Sequence, residues 1–315
     1  MKKIVGVSLG SSKRNHRVLC HILGQKMMIE RVGTDGNLDE AIAILSRLDG
    51  KVDAFGIGGI DLYIHAGGKR YFLRDGRKMA NAVKKTPIVD GSGLKNTLER
   101  KVVKYLHNSD LLPLNNRKVL LVCAVDRFGM AEEMYNFGAK VVLGDLIFGL
   151  GIPIPIHSLE GLDRLVRLLA PLVGFLPTKY LYPSGSGNKV PSEKAQKYYH
   201  WAEIIAGDFH YIKRHMPERM DGKIVVTNTV TASDIDILKQ RGIAKLITTT
   251  PEFNGRSFGT NVMEALMVAL LDKPTEQITP TDYLALIDRL GFEPRVLNFT
   301  KQNQKDSLTA LGGTI

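Results

Sequence analysis

The spacing of hydrophobic and polar positions along the chain changes near residue 112. Before it, short apolar runs separated by glycines and polar turns predict a mixture of strands and helices, beginning with a strand at 4–9. Helical spacing at 39–48 and at 94–107 predicts two helices in this part. A polar, proline-containing stretch at 108–117 then predicts a boundary between domains.

Beyond this boundary, continuous apolar runs alternate with helical spacing. Residues 118–125 and 139–143 form two such runs with a helical stretch between them, and the alternation continues through a predicted strand at 179–182 to one at 245–249. Strands buried on both faces and alternating with helices are typical of a parallel sheet with right-handed crossovers. The sequence therefore predicts an α/β protein, in which an N-terminal mixed α/β domain precedes a doubly wound, mainly parallel sheet.

These patterns divide the chain into three parts. They predict an N-terminal domain at 1–112, a second domain at 113–275, and a C-terminal helix and tail at 276–315.

Composition narrows the classes of function. The 315 residues include 43 Lys and Arg against 32 Asp and Glu, and the resulting net charge of +11 favours anionic small molecules. The basic residues are scattered and form no zinc-finger or RNA-binding motif, so nucleic acid is disfavoured as a partner. The apolar tracts fall short of the roughly 20 residues that span a bilayer. The two cysteines, Cys20 and Cys123, fit a reducing compartment, and we expect a cytoplasmic protein without a membrane partner.

Polar residues follow the predicted strands, where an open α/β sheet binds its ligands. Asp126 and Gly129 follow the first strand of the second domain, where a dinucleotide-binding protein has its glycine-rich turn. Asp145 follows the next strand about 20 residues later, where a carboxylate would accept hydrogen bonds from a ribose 2′-OH and favour NAD over NADP. Each has an alternative without a ligand, Asp126 as a helix N-cap and Asp145 as a loop carboxylate.

Three more candidates for cofactor binding follow a later strand of the second domain. They are Asn228, Thr229 and Thr231, which lie where a nicotinamide ribose or carboxamide would arrive. The alternative is that Thr231 only caps the helix that starts near Ala232.

In the N-terminal domain, a turn from Asp90 to Lys95 follows a strand and opens a helix. Gly91 and Gly93 allow an anion to approach the backbone, and Lys95 lies in a first turn, where the helix dipole disfavours a cation. Such a lysine could bind a substrate carboxylate or, with a lowered pKa, move a proton at a hydroxyl group. The alternative is a solvated lysine beside a glycine-rich turn.

Other polar residues in glycine-containing turns are candidates for contact with a substrate, namely Asp61, Ser92 and Asn261. No histidine or cysteine spacing typical of a metal site is present. The sequence also lacks the G-x-S-x-G motif of serine hydrolases and the phosphate-binding loop of P-loop NTPases.

In the order of these parts, the chain resembles the shikimate/quinate 5-dehydrogenase group, especially the divergent clostridial-type quinate 5-dehydrogenases. The turn at 90–95 resembles that family's loop lysine, 226–231 its Asn-Ala-Thr-Ser segment, and 259–265 its closing helix. Its Gly-Ala-Gly-Gly-Ala turn is replaced at 124–129. The resemblance implies a Rossmann-like second domain, NAD or NADP as cofactor, and Lys95 with Asp90 as the catalytic pair.

Two hypotheses follow. In the first, the chain is an NAD(P)-dependent oxidoreductase of the quinate/shikimate 5-dehydrogenase type, which oxidises a ring hydroxyl of a hydroxylated carboxylic acid between the two domains. In the alternative, it binds a nucleotide or an anionic metabolite on a Rossmann-like fold without redox chemistry. The expected partner is a small hydroxy acid or a nucleotide, and a homodimer is left open.

Overall fold

The computed structural model describes residues 1–66, 69–174, 193–250, 252–253 and 256–299. The strand predicted at 179–182 lies outside these residues. In chain order, the first part contains β1 (Lys2–Ser8), β2 (His16–Ile22), β3 (Gln25–Gly33), α1 (Leu38–Leu48), β4 (Ala54–Gly58), β5 (Tyr63–Ala66), β6 (Lys69–Phe72), α2 (Arg74–Asn81), β7 (Ile88–Val89) and α3 (Ser92–Asn108).

The first sheet has the strand order β2–β3–β1–β4–β7. Strand β2 is antiparallel to β3, and the other neighbours are parallel. A separate antiparallel hairpin is formed by β5 and β6. The predicted mixed α/β domain is therefore confirmed.

The second part continues the alternation of strands and helices. It contains β8 (Lys118–Leu121), α4 (Phe128–Asn136), β9 (Lys140–Leu143), α5 (Leu159–Val173), α6 (Glu193–Trp201), β10 (Ile204–Gly207), α7 (Phe209–His215), β11 (Ile224–Thr227), α8 (Ala232–Gln240), β12 (Lys245–Thr248), β13 (Glu252–Phe253), β14 (Arg256–Ser257), α9 (Thr260–Leu271), α10 (Pro280–Leu290) and β15 (Arg295–Asn298).

The second sheet has the order β9–β8–β10–β11–β12–β15, and every neighbouring pair is parallel except β12 with β15. The predicted doubly wound, mainly parallel sheet is therefore confirmed. Strand β8 pairs with β9 on one side and with β10 on the other, so the direction of strand succession reverses at β8. Ligands of open α/β sheets bind at such a switch point, beyond the carboxyl ends of the strands.

Strands β8 and β10 are buried on both faces, as their uninterrupted apolar sequences predict. Val119, Leu121 and Ile204 belong to one hydrophobic cluster, whereas Leu120 and Ile205 belong to another on the opposite face. The first of these clusters also contains residues of the first sheet and of α3, α9 and α10. The two sheets therefore share a hydrophobic core. None of the described helices has the length and apolar character of a membrane-spanning segment.

Helix α9, which the sequence analysis assigns to the second domain, packs on the first sheet. A Cβ on Gly6 would lie 2.5 Å from the side chain of Val262, and one on Gly56 would lie 2.4 Å from the carbonyl oxygen of Asn261. Gly91, with a φ of 95°, lies equally close to the backbone of Asn261. These glycines therefore allow the N-terminus of α9 to reach the turns that follow the strands of the first sheet.

Candidate active site

Turns from both sheets meet at the first turn of α3. Lys95 Nζ donates hydrogen bonds to Asp126 Oδ1, in the turn after β8, at 2.5 Å and to Asp61 Oδ1, in the turn after β4, at 3.3 Å. The side chain of Lys95 is 10% exposed, that of Asp61 18% and that of Asp126 29%. One enclosed lysine therefore joins the two parts of the chain, and we call the space around it the cleft.

In the cleft, two carboxylates share one ammonium group. Burial alone would lower the pKa of Lys95, but Asp126 and Asp61 outweigh burial and raise that pKa above its ordinary value. Burial and the neighbouring Asp61 also raise the pKa of Asp126, against the effect of Lys95. The lowered lysine pKa considered from the sequence is therefore wrong: Lys95 keeps its proton, and Asp126 is a carboxylate with increased proton affinity.

Asp90 holds the turn that presents the lysine. Its Oδ2 accepts a hydrogen bond from the Leu62 backbone N–H at 2.7 Å, and its Oδ1 accepts one from the Ser92 N–H at 2.9 Å. Ser92 Oγ in turn donates to Tyr63 Oη at 3.2 Å. Asp90 therefore ties the loop after β4 to the start of α3, and this contact positions Lys95. The catalytic role of Asp90 and the substrate contact of Ser92 stay predictions.

Asp145 lies at the end of β9 and turns toward β8. Its Oδ1 accepts hydrogen bonds from the backbone N–H groups of Ala124 and Val125 at 2.8 and 2.9 Å. Its Oδ2 is inaccessible to solvent and has no hydrogen-bond partner among the described residues. Burial raises the pKa of Asp145 to about 6, although the two N–H groups act in the opposite direction. Asp145 thus stabilises the turn after β8, and its contact with a ribose stays a prediction.

Gly129 lies where α4 packs against α3. A Cβ at this position would be 2.5 Å from Asn96 Oδ1 and 2.8 Å from the Asn96 carbonyl oxygen. Gly129 therefore allows α4 to pack closely against α3, and its contact with a cofactor stays a prediction. The N-cap of α4 is Arg127, without a side-chain cap, so the alternative in which Asp126 caps this helix is wrong.

The turn after β8 differs from a dinucleotide-binding turn in its residues and in its hydrogen bonds. The glycine-rich turn of such proteins binds a diphosphate through free N–H groups, and its second glycine leaves room for the phosphates. With Gly129 as the third glycine, the same spacing puts Asp126 at the second position. The N–H groups of Ala124 and Val125 are bonded to Asp145. The residues present therefore do not fit a diphosphate bound in this manner.

The other candidates from the second sheet have structural contacts. Asn228 Nδ2 donates to Asp208 Oδ2 at 2.8 Å. Thr231 caps α8 and forms a capping box with Asp234, which confirms the capping alternative. Thr229 lies half-buried between them. Cofactor contacts of these residues stay predictions.

Asn261 lies at the start of α9, against the carboxyl end of β4. Its Nδ2 would be 3.0 Å from a Cβ on Gly58, and the hydroxyl of Ser8, at the end of β1, would be 3.2 Å from the same Cβ. The structure therefore places Asn261 beside the ends of two central strands of the first sheet. Its contact with a substrate stays a prediction.

A buried charge network, which the sequence did not predict, lies beneath the lysine. Arg127, with a side chain only 1% exposed, donates to Glu99 of α3 through Nη1 and to Asp208 Oδ2 at 3.2 Å through Nη2. Burial raises the pKa of Glu99. Burial also opposes the charge of Asp208, but His210 and Arg127 hold the pKa of Asp208 at about 2. The sequence contains one feature that could have indicated this network: Lys95 and Glu99 are four residues apart, which puts both on one face of α3.

Two arginines lie at the loop between β1 and β2, Arg14 within the loop and Arg31 on β3 beside it, and we call this pair the basic rim. Arg14 Nη1 lies 2.8 Å from His210 Nε2 and so joins this loop to α7. Arg31 donates to the carbonyl oxygen of Ser11 at 3.0 Å. Burial and the nearby Arg14 lower the pKa of Arg31 to about 10, so that it remains a cation at neutral pH. Through His210, whose backbone N–H donates to Asp208 Oδ1 at 2.8 Å, the rim is connected to the charge network of Arg127.

The raised pKa of Asp145 predicts a pH-dependent stability. Its pKa is raised from 3.8 to about 6 in the folded chain, so the folded state holds this proton after the unfolded state has released it. Between about pH 4 and pH 6 the stability contribution of this group therefore falls as pH rises, by about 3 kcal/mol in total. Asp145→Asn removes the titration, and we expect its free energy of unfolding relative to that of the natural chain to increase over this range.

Urea unfolding at several pH values measures this difference. Asp236→Asn, which changes an exposed carboxylate on α8, is the control and should give a difference nearly independent of pH. A flat profile for Asp145→Asn would show that Asp145 titrates normally in the folded chain.

A cavity of about 600 Å³ lies outside the cleft, along β9. Aromatic and basic side chains line it, including Tyr135, Lys140, His157, Lys197 and Trp201. No carboxylate is among its lining residues in the described part of the chain, so it lacks the paired acid and base of the cleft. Among the described residues, no group of His, Cys, Asp and Glu side chains could hold a metal ion.

Several solved structures share features of this architecture at low sequence identity. The NAD-dependent malic enzyme from Thermotoga maritima is 10% identical, with a TM-score of 0.35 over 92% of this chain and 84% of that chain. A hetero-hexameric glutamate dehydrogenase from Thermus thermophilus is 13% identical, with a TM-score of 0.42 over 92% and 73%. A carbohydrate transporter solute binding protein from Agrobacterium radiobacter, in complex with D-arabinose, is 13% identical, with a TM-score of 0.36 over 98% of both chains. Similarity at this level assigns no activity.

No curated protein shows significant similarity to the chain. Two family models do match it. Residues 3–90 match the model described as Domain of unknown function (DUF8753). Residues 93–299, about two thirds of the chain, match a second model. The chain therefore belongs to the family described as Domain of unknown function (DUF8754).

Proposed function

We propose that the chain binds a small hydroxylated molecule in the cleft and moves a proton at one of its oxygens. The observation that carries the proposal is the position of Lys95 between Asp126 and Asp61, which come from different sheets. An ammonium group has three N–H donors, and two of them meet these carboxylates. The third is a donor for a hydroxyl or carbonyl oxygen of the substrate.

The charges around the lysine favour a neutral group at this point. Within the described residues, the cations Lys95 and Arg127 are bonded to carboxylates, including Asp61, Asp126 and Glu99. A second anion placed here would be repelled by carboxylates that already share the available cations. A hydroxyl group, in contrast, accepts a hydrogen bond from the ammonium and donates one to a carboxylate, and it adds no net charge to the site.

The basic rim indicates that the expected substrate carries a carboxylate in addition to its hydroxyl group. We assign the acid group of the same ligand to Arg14 and Arg31, with which a carboxylate would form charge-assisted hydrogen bonds. A hydroxylated carboxylic acid would therefore place its hydroxyl at Lys95 and its acid group at the rim.

The proton would move between the substrate oxygen and Asp126. When the hydroxyl loses its proton, Asp126 takes it up, and its raised pKa favours this uptake. The ammonium of Lys95 stabilises the negative charge left on the oxygen. In the reverse direction, Asp126 returns the proton while Lys95 continues to donate to the oxygen.

Oxidation of a ring hydroxyl with NAD or NADP is a second candidate, because it is the reaction that the resemblance to shikimate/quinate 5-dehydrogenases implies. The position of a lysine and carboxylates between two α/β halves supports it. The turn after β8 does not fit the diphosphate, so this candidate requires that other groups of the chain hold the cofactor. In the remaining alternative, the cleft binds a metabolite without reaction.

A thermal-shift screen of cyclic hydroxy acids, each with and without NAD⁺ or NADP⁺, tests the proposal, because a ligand that binds only the folded state raises Tm. Turnover is then measured, for the compounds that bind, as the formation of NADH or NADPH, because NAD⁺ or NADP⁺ would accept the hydride that leaves the carbon when the hydroxyl gives up its proton. Lys95→Arg keeps the positive charge between the carboxylates, but its rigid guanidinium fork does not reproduce the ammonium geometry. We expect binding to change only a few-fold and turnover to fall about 100-fold or more.

Lys101→Arg, on the same helix and outside the cleft, is the matched control and should behave like the natural chain. Unchanged turnover in Lys95→Arg would contradict the proposed role of the lysine. Stabilisation by hydroxy acids only in the presence of NAD⁺ or NADP⁺ would favour the redox candidate.

A further inference from the structure

In the turn after β8, a carboxylate of the chain itself accepts the backbone hydrogen bonds that could otherwise bind an anionic ligand. The N–H groups of Ala124 and Val125 point to one carboxylate oxygen of Asp145 at 2.8 and 2.9 Å. Adjacent backbone N–H groups at the start of a strand-to-helix connection are the donors that bind phosphate in α/β proteins. Here the chain supplies the acceptor from the end of the neighbouring strand, β9.

A second carboxylate occupies the space beside these donors. Asp126 stands two residues after Ala124 in the same turn, and its Oδ1 is held by Lys95 at 2.5 Å. Lys95 is therefore already paired with Asp126 and with Asp61. A phosphate group entering the turn would meet two carboxylates and would have to displace one from its N–H groups or the other from its ammonium.

The third glycine position of the turn is occupied by Gly129 and serves packing, as in dinucleotide-binding turns. Gly129 offers no free volume, since the side chain and backbone of Asn96 lie within 3 Å of the place where a Cβ would be. Helix α3 thus covers the start of α4 on this side.

We infer that Asp145 and Asp126 together determine the ligand class of the cleft: Asp145 replaces a bound phosphate, Asp126 excludes one, and the chain accepts hydroxylated ligands that carry no phosphate or diphosphate. This inference uses the same cleft as the proposed function, but it does not depend on proton transfer at Lys95. It makes the two aspartates specificity-determining residues.

Calorimetric titration of the full chain at about pH 8, where Asp145 is ionised, tests this inference. The probes are inorganic pyrophosphate, ADP-ribose and NAD⁺. We expect the natural chain to bind each of them with a Kd weaker than about 1 mM. Asp126→Gly introduces the second glycine of the dinucleotide-binding pattern and removes one partner of Lys95. We therefore expect the Kd values for pyrophosphate and ADP-ribose to fall by about tenfold or more. Asp126→Asn removes the charge while keeping the volume of the side chain, and it should show a smaller gain in the same direction.

Asp110→Gly is the matched control, because Asp110 is exposed, remote from the cleft, and has a φ of 56° that glycine adopts readily. It should leave all three affinities unchanged. Micromolar binding of any of the three probes by the natural chain would overturn the inference, and so would the absence of a gain in both Asp126 variants. Neither of these outcomes affects the samples of the hydroxy-acid screen that contain no NAD⁺ or NADP⁺, so the failure of the inference and the failure of the proposed function are distinguishable.

Discussion

Arg127→Met is expected to lower the free energy of unfolding by about 3–5 kcal/mol, because it leaves the carboxylate of Glu99 buried without its cation. Methionine fills much of the volume of the arginine stem, so the loss reports mainly the charge and its hydrogen bonds. One Glu99 oxygen already lacks a partner among the described residues, so no second donor is in place to compensate. Urea unfolding followed by circular dichroism measures the change.

Two further variants separate the buried pair from a general effect of losing an arginine. In Arg127→Met with Glu99→Gln, the fully buried carboxylate is removed and only Asp208 loses a cation, while the His210 N–H and Asn228 still donate to Asp208; we expect a substantial part of the stability to return. Arg219→Met removes an exposed arginine whose side chain is 81% accessible beside Asp221. That change should alter the free energy of unfolding far less, because exposed ion pairs contribute little to stability. Equal losses in Arg127→Met and Arg219→Met would refute the structural role assigned to Arg127.

The second large effect is expected for Lys95→Met, which leaves Asp61 and Asp126 facing each other without a cation. Its cost should be about 3 kcal/mol near neutral pH. The cost should also depend on pH. Without the ammonium, the pKa of Asp126 in the folded chain rises further, so the folded state holds a proton that the unfolded state has released. The stability of Lys95→Met should therefore decline, relative to that of the natural chain, as pH rises from about 4 to 8.

Asp126→Asn, added to Lys95→Met, relieves the repulsion and should recover part of the lost stability. Lys101→Met is the control on the same helix, because its partner Asp288 is largely exposed, and its effect should be small at every pH. A pH-independent loss in Lys95→Met would mean that the two aspartates do not interact as the structure indicates.

The sequence predicts the sheets better than the cleft, for a physical reason. Burial of a parallel strand on both faces requires a continuous apolar run, and such runs mark β8, β10 and β11 directly. The cap of α8 is also local, since Thr231 and Asp234 are three residues apart. Interactions confined to one helix or strand can therefore be predicted from the spacing of its residues.

The contacts of the cleft, in contrast, join residues that are remote in sequence. Asp126 lies 31 residues from Lys95 and comes from the other sheet, so no spacing rule connects them. Asp145 illustrates a different difficulty. Its position at the end of β9 is predicted correctly, but position on a sheet edge leaves the direction of the side chain undetermined. The structure turns this carboxylate toward the backbone of its own chain.

The packing of α9 on the first sheet has a consequence for synthesis of the chain. The strands beside which this helix lies are complete by residue 89, whereas the helix itself ends at Leu271. Ribosomes add roughly 5–20 residues per second, so one face of the early sheet stays uncovered for on the order of ten seconds or more. During this interval the nascent chain exposes apolar strands that only its later part can shield, which makes it a natural client for chaperones acting at the ribosome.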